Sequence, residues 1–182
     1  MNKKWIVENS ESLLDTRWVK VRKDTVNLPN GTHIDDFYAI TINDASAIVA
    51  LDENQNIILK QEYRYCYEKE LLEIPAGTFE EHETDSLAVA KRELLEETGY
   101  SSNNWTYIGD TIESSSKLTN HMHIYFANNC KKVSLPHLDE TEILDVIKMP
   151  LEDAVEKVMN NEICCNSSSF GILWVDRKLR KE

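Results

Sequence analysis

The sequence lacks the long apolar runs that mark membrane and exported proteins. Nowhere do about 18 uninterrupted apolar residues occur, and a membrane-spanning helix needs at least that length. The opening stretch, MNKKWIVENSESLLD, contains two lysines but no apolar run behind them, unlike a secretory signal. We therefore expect neither export nor membrane insertion, and the default expectation is a cytoplasmic protein.

Positive charge is also scarce. There are 20 Lys and Arg residues against 32 Asp and Glu residues, which gives a formal net charge of -12. Nucleic-acid backbones and anionic membranes are bound through Lys and Arg, so we expect neither as the main partner. An anionic small-molecule substrate would need a counter-ion.

Cysteine motifs are absent as well. The sequence has four cysteines, namely Cys66, Cys130, Cys164 and Cys165, with no CxxC or Cys/His spacing among them. In a reducing compartment such residues are expected to be buried thiols rather than disulfides or zinc ligands. We assign them no functional role.

Strand patterns outnumber helical ones, and the two are interspersed. TRWVKVRKDTVNL and HIDDFYAITI flank the turn PNGT and predict a hairpin, and ASAIVALD is apolar enough to be buried on both faces. NIILKQEYRY, WTYIGDTI, HMHIYFA and ILDVIKMP also predict strands. Helices are predicted from about Ser86 to Thr98, where Gly99 is the stop, and in PLEDAVEKVMNN and FGILWVDRKLR. This order predicts an α+β fold with a mixed sheet.

The predicted central helix contains the segment KRELLEETGY, with three closely spaced glutamates. They are Glu93, Glu96 and Glu97. At 3.6 residues per turn they share one face, which we expect to point toward solvent, and like charges there destabilise a helix. One interpretation is a solvated face paired with Lys91 and Arg92. The other is a site for a hard divalent cation such as Mg²⁺, and the acidic loop FEEHE beside the helix favours it.

Gly77, the loop FEEHE with Glu83, and RELLEETGY beginning at Arg92 resemble the signature of the Nudix hydrolases. That signature is GX5EX7REUXEEXGU, where U is apolar. Its second half matches at every fixed position, and Gly77 and Glu83 have the required spacing. Eight residues rather than seven separate Glu83 from Arg92, and we place the additional residue in the loop before the helix.

The resemblance extends over nearly the whole chain and indicates the ADP-ribose pyrophosphatase-like branch. QEYRYCYEKELLEIPAG is similar to that branch's Q-Y-R strand followed by E-L-L-E-L-P-A-G, and VNLPNGTHIDDFYAI resembles its amino-terminal hairpin, which in relatives exchanges between subunits of a dimer. The resemblance implies an α/β/α sandwich with a β region at residues 1–43, a hydrolase domain at residues 44–182, and a homodimer. The segment SSSKLTNHMHIYFA departs from the branch's S-P-G-x-x-x-E pattern, with Asn120 in place of the glutamate, in a loop that shapes the substrate site of relatives.

The activity implied is hydrolysis of the pyrophosphate bond of a nucleoside diphosphate linked to another moiety, with Mg²⁺ or Mn²⁺ as cofactor. ADP-ribose, split to AMP and ribose 5-phosphate, is the first expectation. Alternatives are another nucleotide sugar (GDP-mannose, UDP-glucose or ADP-glucose) or a non-catalytic sensor of a nucleotide ligand.

The resemblance also implies roles for individual residues. The metal ligands would be the Ala76 carbonyl and the three helix glutamates. Glu93, Glu97 and Glu140 would be catalytic, with Glu140 as the general base and Glu142 as its substitute. Arg64 and Glu73 are assigned to substrate binding, and Arg92 is interpreted as a structural residue that pairs with Glu83 or Glu73.

Overall fold

The computed structural model describes residues 3–181, and these form two compact units. The first comprises the chain up to Asn43 together with Ile112–His121, and the second comprises Asp44–Thr111 and the chain from Met122 onward. No helix in the described part of the chain combines the length and the apolar character that crossing a membrane requires.

The first unit contains a three-stranded antiparallel sheet in the order β1-β2-β3. Its strands are β1 (Ile6–Asp15), β2 (Val19–Asn27) and β3 (His33–Ile42). The predicted hairpin of β2 and β3 is confirmed, because Asn27 pairs with His33 across the turn. Gly31 provides the left-handed residue of that turn, with a φ of 86°.

The first strand was not predicted from the sequence. Its residues, IVENSESLLD, show no regular alternation of apolar and polar side chains, and all ten are exposed. The strand forms because its backbone pairs with β2, from Ile6 opposite Asn27 to Asp15 opposite Lys20. A strand that buries neither face leaves no periodic signal in its sequence.

The polar segment around Leu118 is attached to β3. The Ile40 amide donates to the Lys117 carbonyl at 2.8 Å, and the Thr119 amide donates to the Ile40 carbonyl at 3.2 Å. The segment SSSKLTN, which differs from the pattern of the branch, is therefore hydrogen-bonded to the amino-terminal sheet.

The second unit contains an eight-stranded sheet. Its strands are β4 (Ala45–Asp52), β5 (Asn56–Arg64), β6 (Lys69–Glu73), β7 (Ala76–Thr78), β8 (Tyr100–Ser101), β9 (Asn104–Thr111), β10 (Met122–Lys132) and β11 (Leu144–Pro150). The order is β11-β5-β4-β10-β8, with β6 beside β5, β7 beside β4 and β9 beside β10. Because β4 and β10 are parallel and the other pairs are antiparallel, the predicted mixed sheet is confirmed.

Helices cover both faces of this sheet. They are α1 (Ser86–Thr98), α2 (Leu151–Met159) and α3 (Asn166–Leu179). Ile48 and Ala50 of β4 belong to the core on the α1 side, whereas Val49 and Leu51 belong to the core that contains α2 and α3 side chains. Successive strand residues point to opposite faces, so β4 is buried on both sides and the three-layer arrangement is as predicted.

The ends of α1 follow from its capping residues. Asp85 accepts a hydrogen bond from the Leu87 amide at 2.9 Å, and this satisfies a free donor of the first turn. Gly99 has a φ of 73°, and its amide donates to the Leu95 carbonyl at 2.8 Å. The predicted bounds of this helix are confirmed, while α3 begins earlier than predicted, at Asn166 instead of within FGILWVDRKLR.

The expectation of buried cysteines is correct only in part. Cys130 is buried, but Cys66 and Cys164 are exposed, and all four thiols are free. Cys66 lies in a short 3-10 turn, Tyr65–Tyr67, that has no buried residue. The expectation fails there because a turn at the surface exposes its side chains whatever their polarity.

Candidate active site

Glu97, in the last turn of α1, points into the protein. Only 2% of its surface is exposed, so the predicted solvent-facing orientation is wrong for this residue. Its Oε2 accepts a hydrogen bond from the Ala76 amide at 2.9 Å, and its Oε1 is ion-paired with the Lys60 ammonium. Burial raises the pKa of the Glu97 carboxyl, whereas Lys60 lowers it. Lys60 also donates a hydrogen bond to the Ala76 carbonyl, at 3.3 Å.

Glu93 lies one turn earlier on the same buried side and is 6% exposed, so the predicted solvent-facing orientation is wrong for this residue as well. A Cβ on Gly77 would lie 2.0 Å from the Glu93 Cδ, so only glycine leaves room for this carboxylate. Burial raises the pKa of Glu93 to about 7, with a further increase from Glu97 and an opposing effect from Arg92. The absence of a side chain at Gly77 is therefore what allows the Glu93 carboxylate to occupy its position.

Arg92 connects the acidic loop to the helix. Its Nε and Nη2 donate to the two carboxylate oxygens of Glu83, each at 2.9 Å. Its Nη1 lies 2.7 Å from Glu93 Oε1 and 2.9 Å from Glu96 Oε2. The predicted pairing with Glu83 is confirmed, so the additional residue between Glu83 and Arg92 does not prevent it. Glu96 is the most exposed of the three helix glutamates, with 43% of its side chain accessible.

Arg64, at the end of β5, is held by two carboxylates. Its Nη2 lies 2.7 Å from Glu73 Oε2, and its Nη1 lies 3.1 Å from Glu62 Oε1. The structure therefore brings together Arg64 and Glu73, which we assigned to substrate binding, and Glu73 does not serve as the partner of Arg92. About a third of the Arg64 side chain, 37%, is accessible.

Two residues of this neighbourhood were not singled out from the sequence. Lys60 is 2% exposed and contacts Glu97, and the Cys165 thiol donates to Glu73 Oε1 at 2.5 Å. Burial raises the pKa of the Cys165 thiol to about 12, so it remains a hydrogen-bond donor. No local signal in the sequence indicated Lys60, since lysines are mostly exposed and its partner Glu97 is 37 residues distant.

The segment that contains the predicted general base is anchored at the end of α1. The Val133 and Ser134 amides donate to the Gly99 carbonyl, and the His137 amide donates to the Glu96 carbonyl at 2.7 Å. Glu140 is exposed and Glu142 is half-buried. Burial is the main cause of the raised pKa of Glu97, and Lys60 and the Ala76 amide oppose it. The negative charge of Glu142 makes a smaller contribution that also raises this pKa, so this segment lies near the helix glutamates.

The donor set can be compared with the needs of a divalent cation. In residues 3–181 no three metal-ligating side chains are already arranged around one point. The helix glutamates are paired with cationic side chains, Glu97 with Lys60 and both Glu93 and Glu96 with Arg92. The donors are nevertheless carboxylate and carbonyl oxygens, which Mg²⁺ and Mn²⁺ prefer. Two cationic side chains, Lys60 and Arg92, are paired with four carboxylates, those of Glu83, Glu93, Glu96 and Glu97, so negative charge is left to be compensated. The residues therefore fit a hard divalent cation.

Comparison with known proteins agrees with this geometry. The NUDIX domain model matches residues 41–163, and the model of the nucleoside diphosphate sugar hydrolase N-terminal domain matches residues 5–40. A methanol dehydrogenase activator of Bacillus methanolicus is 32% identical over 167 residues, which cover 91% of this chain and 89% of that protein. An ADP-ribose pyrophosphatase of Mycobacterium tuberculosis is 28% identical over 174 residues, covering 92% and 81%.

A solved structure supports the fold. The crystal structure of an ADP compounds hydrolase superposes with a TM-score of 0.83 at 22% identity, and the match covers 98% of this chain and 96% of the other. The chain therefore belongs to the Nudix hydrolase family. Within the family it is a pyrophosphohydrolase similar to the ADP-ribose pyrophosphatases, and members of this family generally use divalent metal cations.

Proposed function

We propose that the protein hydrolyses the pyrophosphate bond of a nucleoside diphosphate linked to another moiety, with Mg²⁺ or Mn²⁺ as cofactor. The preferred substrate is ADP-ribose, which would yield AMP and ribose 5-phosphate. The observation that carries this proposal is the pair of buried carboxylates, Glu93 and Glu97, held on one side of α1 next to Gly77 and the Ala76 backbone.

The helix glutamates and one backbone carbonyl would hold the cation. These ligands are Glu93, Glu96, Glu97 and the Ala76 carbonyl. When bound, a divalent cation neutralises charge on the diphosphate and makes water a stronger nucleophile. Arg92 contacts both Glu93 and Glu96 and keeps these two proposed ligands close to each other.

Arg64 binds the phosphate oxygens of the substrate. A guanidinium matches phosphate geometry with two parallel hydrogen bonds, and the partly accessible Arg64 is already held in place by Glu73 and Glu62. Glu140 acts as the general base that takes a proton from the attacking water. Its exposed position is compatible with approach to a bound substrate from the solvent side.

The substrate alternatives rest on one segment. SSSKLTN lacks the proline, glycine and glutamate found in the branch, and Asn120 stands at the glutamate position. Other nucleotide sugars, namely GDP-mannose, UDP-glucose and ADP-glucose, are therefore the second candidates. A non-catalytic sensor is less well supported, because every glutamate of the signature is retained.

We also propose that the protein is a homodimer, with residues 1–43 contributing to the interface. The support is β1, an edge strand whose ten residues are all exposed. An unprotected strand edge readily pairs with another chain.

The first experiment is a phosphate-release screen coupled to phosphatase, with Mg²⁺ or Mn²⁺ present. The compounds are ADP-ribose, GDP-mannose, UDP-glucose, ADP-glucose and NADH. Glu93→Gln is the control, because it removes a carboxylate without breaking the pair of Lys60 and Glu97. We expect release from ADP-ribose, and a rate lowered at least about 100-fold in the control.

The outcomes separate the candidates. A higher rate on another nucleotide sugar would transfer the substrate assignment to that compound. No release from any compound, together with thermal stabilisation by one of them, would overturn the hydrolase proposal in favour of the sensor.

A further inference from the structure

Lys60 is a buried charge that contacts two of the proposed metal ligands, Glu97 and the Ala76 carbonyl. It follows the fully buried residues Ile57, Ile58 and Leu59 on β5 and is itself 2% exposed. Residues two apart on a strand share a face, so Lys60 points to the same side as Ile58, which packs with the α1 residues Ala90 and Leu94. The long side chain thus extends beneath the helix that carries the glutamates.

The ammonium group of Lys60 contacts oxygens from three separate segments. It is ion-paired with Glu97 Oε1, and it lies 3.3 Å from the Ala76 carbonyl oxygen and 3.3 Å from Glu62 Oε2. Two of these three groups, Glu97 and the Ala76 carbonyl, are ligands that we assigned to the divalent cation. Lys60 therefore lies where a cation bound between those two groups would lie.

We propose that Lys60 is a fixed cation of the metal site and takes the place of one divalent ion between Glu97 and the Ala76 carbonyl. This inference rests on the proposed function, since it concerns the same site. An ammonium group and a divalent cation repel each other strongly at a separation of a few ångströms in a poorly solvated environment. The two cannot share that position.

Lys60 does not remove Glu97 from the metal site. A carboxylate has about four lone-pair positions, of which the contacts to Lys60 and the Ala76 amide use two. The Ala76 carbonyl has two lone pairs, and its contact with Lys60 uses one of them. Both proposed ligands could therefore contact Lys60 and still contribute to binding of a divalent ion. The result is a site that binds fewer divalent ions than its oxygen ligands alone would allow.

The test is a count of bound Mn²⁺ per chain, made by electron paramagnetic resonance of free Mn²⁺ in a titration without substrate. Lys60→Met removes the charge and keeps an unbranched apolar side chain of similar length, and Lys60→Arg is the matched control that keeps the charge. We expect Lys60→Met to bind one more Mn²⁺ than the wild type, and Lys60→Arg to bind the same number as the wild type. An equal or smaller number for Lys60→Met overturns the inference.

Thermal unfolding gives a second readout. Without metal, Lys60→Met leaves Glu97 buried and unpaired, so its Tm should fall below that of the wild type. Mg²⁺ should then raise the Tm of Lys60→Met by several degrees more than that of the wild type, because the ion fills the position of the ammonium group. A purely structural lysine predicts the same loss of Tm with and without Mg²⁺, and that result would overturn the inference.

If Lys60→Met does not fold without metal, refolding in Mn²⁺ is the readout. Folded protein only in the presence of Mn²⁺ supports the inference, and failure in both conditions overturns it. None of these measurements requires turnover. If no compound releases phosphate in the substrate screen, the hydrolase proposal fails. If Lys60→Met binds no additional Mn²⁺, the proposed role of Lys60 fails, and the two results are therefore distinguishable.

Discussion

Gly77 shows how a single residue without a side chain can determine the position of a functional group. The position that its Cβ would take is filled by the carboxyl group of Glu93, whose Oε1 would be 2.0 Å away. These atoms are the far end of a flexible side chain, so a methyl group at residue 77 would displace the Glu93 carboxylate and leave the backbone of α1 in place. A substitution at Gly77 can therefore be used to separate a loss of activity from a loss of stability.

Gly77→Ala should lower kcat by about 100-fold or more while the Tm changes little, because the displaced Glu93 is one of the proposed metal ligands. Steady-state kinetics and thermal unfolding of the same preparation measure both effects. The double variant Gly77→Ala with Glu93→Gln should be no slower than Glu93→Gln alone, since both changes act on one carboxylate. A wild-type kcat in Gly77→Ala would show that Glu93 is not needed at this position.

Glu140 is the proposed general base, and substitution tests this role. Glu140→Gln should lower kcat by about 100-fold to 10,000-fold with a small change in KM, because a base acts on the reacting water and contributes little to substrate binding. Glu142→Gln is the matched comparison, two residues away on the same segment. A normal rate for Glu140→Gln together with a slow Glu142→Gln would transfer the role to Glu142.

At the scale of secondary-structure elements, the sequence predicts those parts whose residues carry a local signal. The central helix was predicted with its end at Gly99 because its capping residues are adjacent in sequence. β1 was not predicted because all ten of its residues are exposed, so its sequence has no alternation of apolar and polar side chains. The orientation of Glu97 was also wrong, because helical spacing groups the glutamates on one face without showing which way that face points, and its buried counter-ion Lys60 is 37 residues distant.

The junction of β4, β5 and β11 offers a prediction about stability and pH. Asp52, at the end of β4, is 5% exposed. It accepts hydrogen bonds at 2.9 Å from the Asn54 and Asn56 amides and from the Lys148 ammonium on β11. Burial acts to raise its pKa, but these donors outweigh that effect and hold the pKa of Asp52 below its ordinary value of 3.8. The ionised carboxylate therefore stabilises the folded state.

Asp52→Asn should lower the free energy of unfolding at pH 7 by about 1 kcal/mol, the net value of a typical hydrogen bond. A lowered folded-state pKa stabilises the protein above the unfolded pKa, and this contribution is lost as the pH falls through the folded value. The difference between wild type and variant should thus be constant from about pH 6 upward and shrink below about pH 4. Urea unfolding at several pH values measures it, and a pH-independent difference would contradict the assigned role of the charge.

At the scale of the whole molecule, the net charge of -12 conflicts with an anionic diphosphate substrate. The active-site region partly resolves this conflict, because Lys60, Arg64 and Arg92 all lie among its carboxylates. Each is already paired, so we expect the proposed divalent cation to balance the remaining negative charge there. Affinity for the substrate should therefore depend on metal concentration, and the overall charge does not by itself attract the substrate.

We expect the proposed dimer to form through the exposed edge strand β1. Four of its residues are apolar and at least 45% exposed, namely Ile6, Val7, Leu13 and Leu14. Burial of an aliphatic side chain contributes about 1.5 to 3 kcal/mol, so Ile6→Glu with Leu14→Glu should weaken the proposed dimer by more than about 100-fold. Met159→Glu is the matched control, an exposed apolar residue of the second unit.

Light scattering after size-exclusion chromatography at several concentrations measures this effect. The wild type and Met159→Glu should have twice the mass of one chain, and Ile6→Glu with Leu14→Glu should have the mass of one chain. A wild-type protein that remains monomeric at about 100 μM, far above the Kd of a stable dimer, would contradict the dimer. In that case the exposed apolar residues of β1 would need a different partner, because single exposed apolar residues are common but four on one unpaired edge strand are not.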